Sequence, residues 1–215
     1  MKQRPTLPYS EEEFTRILVA CDEYKDNYGR TGQWNARRLR ALVLLLRYSG
    51  LRIGDAVILQ RDRIVNGKLF LYTAKTGTPV YCPLPNLVEH TLVGLEHSNN
   101  QYFFWSGKSV KSVTRDYQRY LRKLFHIAKV PHGHAHRFRD TFAVELLLAG
   151  VPLEHVSILL GHNSVKVTEK HYSPWVHARQ EQLEADVQRT WAKDPRVFAQ
   201  TKGTPDVHRT SEVVN

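Results

Sequence analysis

The stretch RRLRALVLLLRYSGLRIGD, residues 37–55, predicts the centre of the fold. Its run from Leu39 to Leu46 is apolar nearly all round, which is typical of a helix buried on every side. Gly50 follows where a helix end favours a left-handed residue, and Arg52 comes directly after that stop. An arginine held at the end of a rigid helix suits a fixed guanidinium that faces an anion, although an isolated arginine is more often an ordinary surface residue.

The residues around this stretch predict one mainly helical domain. Upstream, Ser10 and Glu13 form a capping-box pattern that starts a helix through about Tyr24. The segment 26–34 contains two glycines and predicts a loop, after which Asn35 can cap the helix that contains the apolar run.

Downstream, the spacing of the hydrophobic residues changes from the helical period to the alternation that is typical of strands, and then returns to the helical period. A small antiparallel sheet is predicted from residues 61–65, 68–74 and 79–84. Further helices are predicted at about 86–95, 110–128, 137–149, 152–160, 164–171 and 176–192. The sequence therefore predicts an α+β domain, mainly α, over residues 1–193, followed by a flexible polar tail over 194–215.

Composition narrows the class of partner. There are 31 Lys and Arg against 21 Asp and Glu, a net charge of +10 that favours polyanions, although many basic proteins bind no nucleic acid. Two cysteines, Cys21 and Cys82, indicate neither a disulfide framework nor a cysteine-rich zinc site. The longest apolar run is too short to cross a bilayer and the first residues do not form a signal peptide, so we expect a cytoplasmic protein without a membrane partner.

Several polar residues stand at positions where chemistry is possible. Lys75 lies at the tip of the predicted hairpin, and His136 and Arg139 share one face of the first turn of a helix. His162 follows Gly161 at the end of another helix, and Tyr172 lies further along in EKHYSPW. Each alone has an ordinary explanation: a solvated turn, a helix cap or a packed aromatic side chain.

Together with Arg52, these residues resemble a known family. Their contexts SGLRIGD, KTG, HRFR, LGH and HNSVKVTEKHYSPWV occur in the order and approximate spacing of the tyrosine recombinases, the phage integrase family. The resemblance covers about residues 8–190. It implies the DNA breaking-rejoining catalytic fold, with a three-stranded antiparallel sheet, and an enzyme that cleaves and rejoins double-stranded DNA without a metal or other cofactor.

The resemblance also implies roles for the nucleophile and the arginines. Tyr172 would attack the phosphorus and leave a 3′-phosphotyrosyl link, which keeps the bond energy for religation. Arg52 and Arg139 would each bind non-bridging phosphate oxygens, where a planar guanidinium fits well. They would supply the positive charge that Mg²⁺ supplies in other phosphoryl transfers.

Proton transfer is implied for the remaining residues. Lys75 would protonate the leaving 5′ oxygen, His136 would assist proton transfer at the tyrosine, and His162 would hydrogen-bond the phosphate. The family pattern H-x-L-R-H-T-F-A departs here at Phe138, which can substitute in the core, and at Asp140. Position 140 is not expected to be catalytic, but the aspartate there puts a negative charge beside Arg139.

Binding and assembly are also predicted. The basic segment 111–129 is expected to track the DNA backbone or enter a groove, although a solvated amphipathic face would look the same. The last helix, about 176–192, is expected to dock on a neighbouring protomer in a tetramer on DNA. Because only about forty residues precede the core of the central helix, we expect the family's N-terminal DNA-clamping domain to be absent.

Three alternatives are open at this point. The first is a metal site formed by His132, His134, His136, His162 and His171. The second is relaxation of supercoiled DNA by the same tyrosyl chemistry, as in type IB topoisomerases. The third is a catalytically silent DNA-binding fragment.

Overall fold

A computed structural model describes residues 7–96, 99–105 and 107–195, and for residues 25–34 it describes the backbone alone. The chain divides into two compact units, Met1–Val176 and His177–Asn215. The candidate site lies within the first unit. Of the predicted polar tail, residues 196–215 lie outside the described part of the chain.

The longest helix, α1, runs from Glu11 to Ser49 and begins with the predicted capping box. The Ser10 hydroxyl accepts from the Glu13 backbone at 3.1 Å, and the Glu13 carboxylate accepts from the Ser10 backbone at 3.0 Å. The predicted loop at 26–34 is wrong, because α1 continues through it. Two interior glycines cost only about 1 kcal/mol each, and the buried side chains on both sides of the segment, from Ile17 to Leu42, outweigh that cost.

Gly50 ends α1 as predicted. Its φ is 63°, and its backbone N–H donates to the Leu46 carbonyl at 3.2 Å. A Cβ atom at this position would lie 2.5 Å from Cδ1 of Phe142, so the glycine also lets the next layer of the fold approach closely. Helix α2, Ile53–Val57, starts directly afterwards with Arg52 as its N-cap residue.

The predicted sheet is confirmed. A short 3₁₀ turn at Arg61–Arg63 leads into β1 (Ile64–Val65), β2 (Lys68–Tyr72) and β3 (Pro79–Pro83), which pair antiparallel in that order. One face of the sheet faces the core, where Leu69 and Cys82 are buried partners across β2 and β3. The turn between β2 and β3 carries Lys75.

The remaining helices are α3 (Asn86–Val93), α4 (Val110–Ile127), α5 (Ala135–Leu148), α6 (Leu153–Leu159) and α7 (Val165–Trp191). Two predicted helices, 164–171 and 176–192, are joined as α7, with non-helical angles at Tyr172 (φ −112°, ψ 17°). Pro174 explains this kink, because proline has no N–H to donate and its ring clashes with the carbonyl four residues earlier. No helix among the described residues is long and apolar enough to cross a membrane.

The start of α5 is fixed by the segment that precedes α1. The Arg137 guanidinium donates to the carbonyls of Leu7 and Pro8 and forms an ion pair with Glu13 at 2.8 Å. The Tyr9 backbone N–H donates to the Thr141 hydroxyl at 2.8 Å. Phe138, the predicted core substitute, is fully buried, which confirms that expectation. These contacts with the segment that precedes α1 therefore fix the first turns of α5, which carry His136 and Arg139.

Candidate active site

Arg139 links the ends of two helices. Its guanidinium donates to the carbonyl of Gly50 at 2.7 Å and to that of Leu160 at 2.6 Å. Carbonyls at helix C-termini have no partner within the helix, so a buried cation satisfies them well. The residue is 2% exposed, and burial together with the charge of Arg52 lowers its pKa to about 10, which leaves it protonated at neutral pH.

Arg52 faces the same site but is satisfied differently. Its Nη1 atom is buried and has no hydrogen-bond partner among the described residues. Its charge lowers the pKa values of Arg139, His136 and His162, and it lines the same cleft as His136. Two neighbouring guanidinium groups repel each other, and a bound anion would relieve that repulsion.

His162 is held in one tautomer by its neighbours. Its Nε2 lies 2.9 Å from Nη2 of Arg139, and because arginine can only donate, Nε2 must accept. The ring proton therefore lies on Nδ1, which donates to the Thr168 hydroxyl at 2.7 Å. Burial and the charges of Arg139 and Arg52 lower the His162 pKa to about 4, in agreement with a neutral ring. The buried Thr168 was not singled out in the sequence.

Gly161 brings the His162 segment against the sheet. Its φ is 61°, and a Cβ atom there would lie 2.8 Å from Cγ2 of Val80 and 3.0 Å from Cγ2 of Thr73. Next to it, the Thr78 hydroxyl donates to the Asn163 side chain at 2.9 Å. The turn between β2 and β3 is thus docked on the loop that carries His162.

Lys75 is the least fixed of the six predicted residues. Its side chain is exposed on that turn and forms no hydrogen bond or ion pair with any described residue. The turn itself is anchored, because the backbone N–H of Ala74 donates to the buried Asp55 carboxylate at 2.8 Å. Asp55 belongs to α2, the helix that Arg52 caps. The fold therefore anchors the turn to the helix that Arg52 caps without fixing the ammonium group.

Tyr172 lies at the kink of α7 and is only 3% exposed. Its hydroxyl donates to Oδ1 of Asp140 at 3.0 Å. Burial raises the Tyr172 pKa above its ordinary value, and the charge of Asp140 raises it further. The phenol is therefore protonated at neutral pH and must lose its proton before or during an attack.

Asp140 is the site residue that the sequence did not predict. It is 2% exposed, burial raises its pKa, and its second oxygen, Oδ2, is buried without a hydrogen-bond partner in the described part of the chain. Nε2 of His136, one helical turn earlier, lies 3.5 Å from Oδ1. Burial and the charges of Arg139 and Arg52 lower the His136 pKa to about 4, although 57% of its side chain is exposed. The available signal was the departure from the family pattern directly after Arg139.

The basic helix borders the site. A cleft of about 560 Å³ is lined by Arg52 and His136 and, from α4, by Gln118 and Arg122. The apolar face of α4 is buried, while its other face exposes Lys111, Arg115, Arg119, Arg122 and Lys123. A cationic surface thus continues from Arg52 along α4.

The histidines do not assemble as the metal alternative requires. Among the described residues, no group of three or more His, Cys, Asp or Glu side chains is arranged to hold a metal ion. His162 is instead hydrogen-bonded to Arg139 and Thr168, and His136 lies against Asp140.

Comparison of the sequence with those of known proteins agrees with the family resemblance. The model of the phage integrase family matches residues 9–179. Tyrosine recombinase XerC of Rickettsia massiliae (strain Mtu5) is 31% identical over 161 residues, which are 72% of this chain and 52% of that protein. XerC of Rickettsia bellii (strain OSU 85-389) is 30% identical over 179 residues, 79% of this chain and 57% of that protein. The chain spans about half the length of these curated relatives.

Solved structures confirm the predicted fold class. XerA recombinase aligns with a TM-score of 0.63 at 20% identity, covering 86% of this chain and 65% of that one. The catalytic domain of bacteriophage HP1 integrase aligns with a TM-score of 0.59 at 17% identity, covering 84% and 93%. The family model spans most of the chain, and this chain therefore belongs to the phage integrase family, the tyrosine recombinases.

Proposed function

We propose that residues 1–193 form a catalytic domain that cleaves and rejoins double-stranded DNA through a 3′-phosphotyrosyl intermediate at Tyr172. One observation carries the proposal: the Tyr172 hydroxyl is bonded to the residue that follows Arg139, in a site where Arg52 has an unpartnered buried nitrogen. Phosphodiester exchange uses a nucleophile and positively charged donors that stabilise the phosphate in the transition state, and a tyrosine with two guanidinium groups can supply both.

The two arginines would bind the scissile phosphate. Arg139 is held by backbone carbonyls and Arg52 has a free donor, so an oxyanion would relieve their repulsion and complete the hydrogen bonds of Arg52. A preorganised donor of this kind contributes roughly 3–4 kcal/mol to the transition state. His162 would hydrogen-bond the phosphate once Nε2 carries a proton, and the charge of the phosphate favours that by raising the His162 pKa.

Proton transfer would involve the more exposed residues. Lys75, on its anchored turn, would give a proton to the leaving 5′ oxygen, and His136 would assist at the tyrosine through the carboxylate that both residues face. The cationic face of α4 would contact the DNA backbone beside the cleft. The chemistry as proposed uses no metal and no other cofactor.

The test is covalent trapping on a nicked suicide DNA substrate, in which the cleaved fragment diffuses away and prevents religation. The unmutated protein is expected to form a DNA adduct that survives denaturing electrophoresis, and Tyr172→Phe is expected to form none. Absence of the adduct with the unmutated protein would contradict the proposal and favour a silent DNA-binding fragment. An adduct accompanied by supercoil relaxation without strand exchange between two sites would favour a topoisomerase.

Assembly is proposed from the second unit. The helix in this unit exposes Leu183, Val187 and Trp191 at four-residue spacing, so these apolar side chains share one face. We propose that this face docks on a neighbouring protomer in a tetramer on DNA. A structure of lambda integrase, which shares the fold, is a tetramer on a Holliday junction and supports this proposal.

Two truncations test the assembly proposal in a gel-shift series. Ending the chain at Lys193 is expected to leave folding and cooperative DNA assembly unchanged. Ending it before Val176 is expected to impair assembly, because the apolar face is lost. Leu183→Glu together with Val187→Glu should reproduce that loss with the helix retained, and equal assembly by all forms would contradict the proposal.

An enzyme with this substrate would act on DNA in a prokaryotic cytoplasm.

A further inference from the structure

We propose that Asp140 is a catalytic residue that accepts the proton of the Tyr172 phenol as the tyrosine attacks the phosphate. The proposal rests on the function proposed above and adds a residue to the six predicted from the sequence. In this proposal the Asp140 carboxylate is the general base, and His136 has an assisting role.

The geometry of the pair carries the inference. Oη of Tyr172 and Oδ1 of Asp140 are 3.0 Å apart, within the distance over which a proton is transferred directly. Both residues are almost fully buried, at 3% and 2% exposure, so bulk water does not compete for the phenol proton. Asp140 is fixed on α5, one residue from Arg139, which ties the base to the element that would hold the phosphate.

The second carboxylate oxygen argues against a purely structural role. Oδ2 of Asp140 is buried with no hydrogen-bond partner in the described part of the chain. An unsatisfied buried polar atom costs stability, and an asparagine or a serine would fix the tyrosine hydroxyl without burying a negative charge. Such exceptions occur at catalytic positions, where a reactive group is kept at the expense of stability.

The electrostatic surroundings suit the exchange of one proton. Burial raises the pKa of Asp140, which makes its carboxylate a stronger base than an exposed one. Burial and the charge of Asp140 raise the pKa of the phenol, so at neutral pH it keeps its proton until an acceptor takes it. The titratable and charged groups that interact with this carboxylate are Tyr9, His134, His136, Arg139, His171 and Tyr172.

Bonds and protons balance in both directions of the reaction. In cleavage, the Tyr172 Oη–phosphorus bond forms, the bond from phosphorus to the 5′ oxygen breaks, and the phenol proton moves to Oδ1 of Asp140. The leaving 5′ oxygen takes its proton from the general acid proposed above, Lys75. In religation, the 5′ hydroxyl attacks the phosphotyrosyl phosphorus and gives its proton back to Lys75, and the Asp140 carboxyl returns its proton to the departing phenol oxygen.

The first experiment measures the rate of adduct formation on the nicked suicide substrate for the unmutated protein and for Asp140→Asn, across pH. Asparagine keeps a hydrogen-bond acceptor for the tyrosine but is not a base. We expect the rate to fall about a hundredfold, with the remaining rate rising steeply with pH because hydroxide must then remove the proton. Asp22→Asn, a surface carboxylate change on α1, is the matched control and should leave the rate unchanged.

A second variant keeps the test decisive if Asp140→Asn folds poorly. Asp140→Ala leaves a cavity beside the phenol, and added formate can occupy it as a replacement base. We expect formate to raise the adduct rate of Asp140→Ala by about tenfold or more and to leave that of the unmutated protein unchanged. Thermal unfolding of each variant separates a loss of fold from a loss of chemistry.

The outcomes are distinguishable. If the unmutated protein forms no adduct, the proposed function fails and this inference fails with it. If it forms the adduct and Asp140→Asn matches it within about threefold at every pH, only the inference is overturned, because loss of a general base costs far more than that. A faster reaction of Asp140→Asn would also overturn it, since Asp140 would then be a latch that holds the tyrosine in a resting state.

Discussion

The two sides of the candidate site are built in opposite ways. On the α5 side, Arg139 and Asp140 are each 2% exposed and are hydrogen-bonded to other parts of the fold. On the side of the turn between β2 and β3, Lys75 is exposed and pairs with no described residue. Folding alone therefore fixes the side chains of the first side, whereas it leaves the Lys75 ammonium of the second side without a partner among the described residues. Loss of the Arg139 side chain should therefore cost stability and chemistry together, and loss of the Lys75 side chain should cost chemistry alone.

Arg139→Ala is the change with the largest expected effect. It leaves the carbonyls of Gly50 and Leu160 and the ring of His162 without their donor. We expect the free energy of unfolding to fall by about 3 kcal/mol and the adduct rate to fall by about a hundredfold or more. Denaturant unfolding and the suicide substrate measure the two effects, and unchanged stability would contradict the difference between the two sides. Arg139→Lys, which keeps the charge but not the planar fork, should lie between the alanine variant and the unmutated protein.

Lys75→Ala should have a large effect on one measurement only. Without the general acid that we propose, the adduct rate is expected to fall between about a hundredfold and ten-thousandfold. The free energy of unfolding should stay within about 0.5 kcal/mol, because the side chain has no partner in the described fold. A substrate whose leaving oxygen is replaced by sulfur needs no proton, and it should restore the rate. A large loss of stability in this variant would show that the turn is part of the folded framework.

Gly161→Ala tests the junction between the two sides. Its φ is 61° and its new Cβ would lie 2.8 Å from Cγ2 of Val80, so we expect a loss of about 2 kcal/mol and a slower reaction. Gly77→Ala is a matched control, because Gly77 has a φ of 62° but a Cβ added there would meet no atom within 4 Å. The Gly77→Ala control should lose only the stability that an alanine with a positive φ costs. Equal losses in the two variants would mean that the contact with the sheet is unimportant.

The effect that is smallest at neutral pH is a pH dependence of stability from the histidines. Folding lowers the pKa values of His136 and His162 from 6.5 to about 4, so the unfolded chain takes up protons first as the pH falls. Stability should decrease as the pH falls from about 6.5 to about 4, with no further contribution from these groups below that. His162→Gln should reduce this slope in denaturant unfolding, whereas His155→Gln, an exposed control, should not.

The sequence predicted the parts of the fold that depend on local pattern. The capping box at Ser10, the glycine stop at Gly50 and the sheet between residues 64 and 83 all follow from short-range rules and are confirmed. The predicted break at residues 26–34 failed, because the rule that glycines mark loops ignores what the flanking turns bury. Tertiary burial of both ends of α1 outweighs the local preference for a turn.

The candidate site divides in the same way. Residue type and spacing gave the candidates Arg52, Lys75, His136, Arg139, His162 and Tyr172, because each stands in a recognisable local context, and their roles stay predictions. The partners of these residues could not be selected. Asp140 and Tyr172 are 32 positions apart, and Asp55 reaches a turn 19 positions away, so their contacts depend on how whole elements pack.

What the sequence by itself determined was the family resemblance, the helical and strand periods, and the set of candidate residues to which that resemblance assigns phosphate binding and proton transfer. Only the tertiary structure decided which of those residues are fixed and which are free, and that the tyrosine is bonded to a buried carboxylate. The physical reason is the distance along the chain over which each effect acts. Helix caps and hydrophobic periods act over one or two helical turns. The burial and hydrogen bonding of Asp140 are set by α5 packing against the kink of α7.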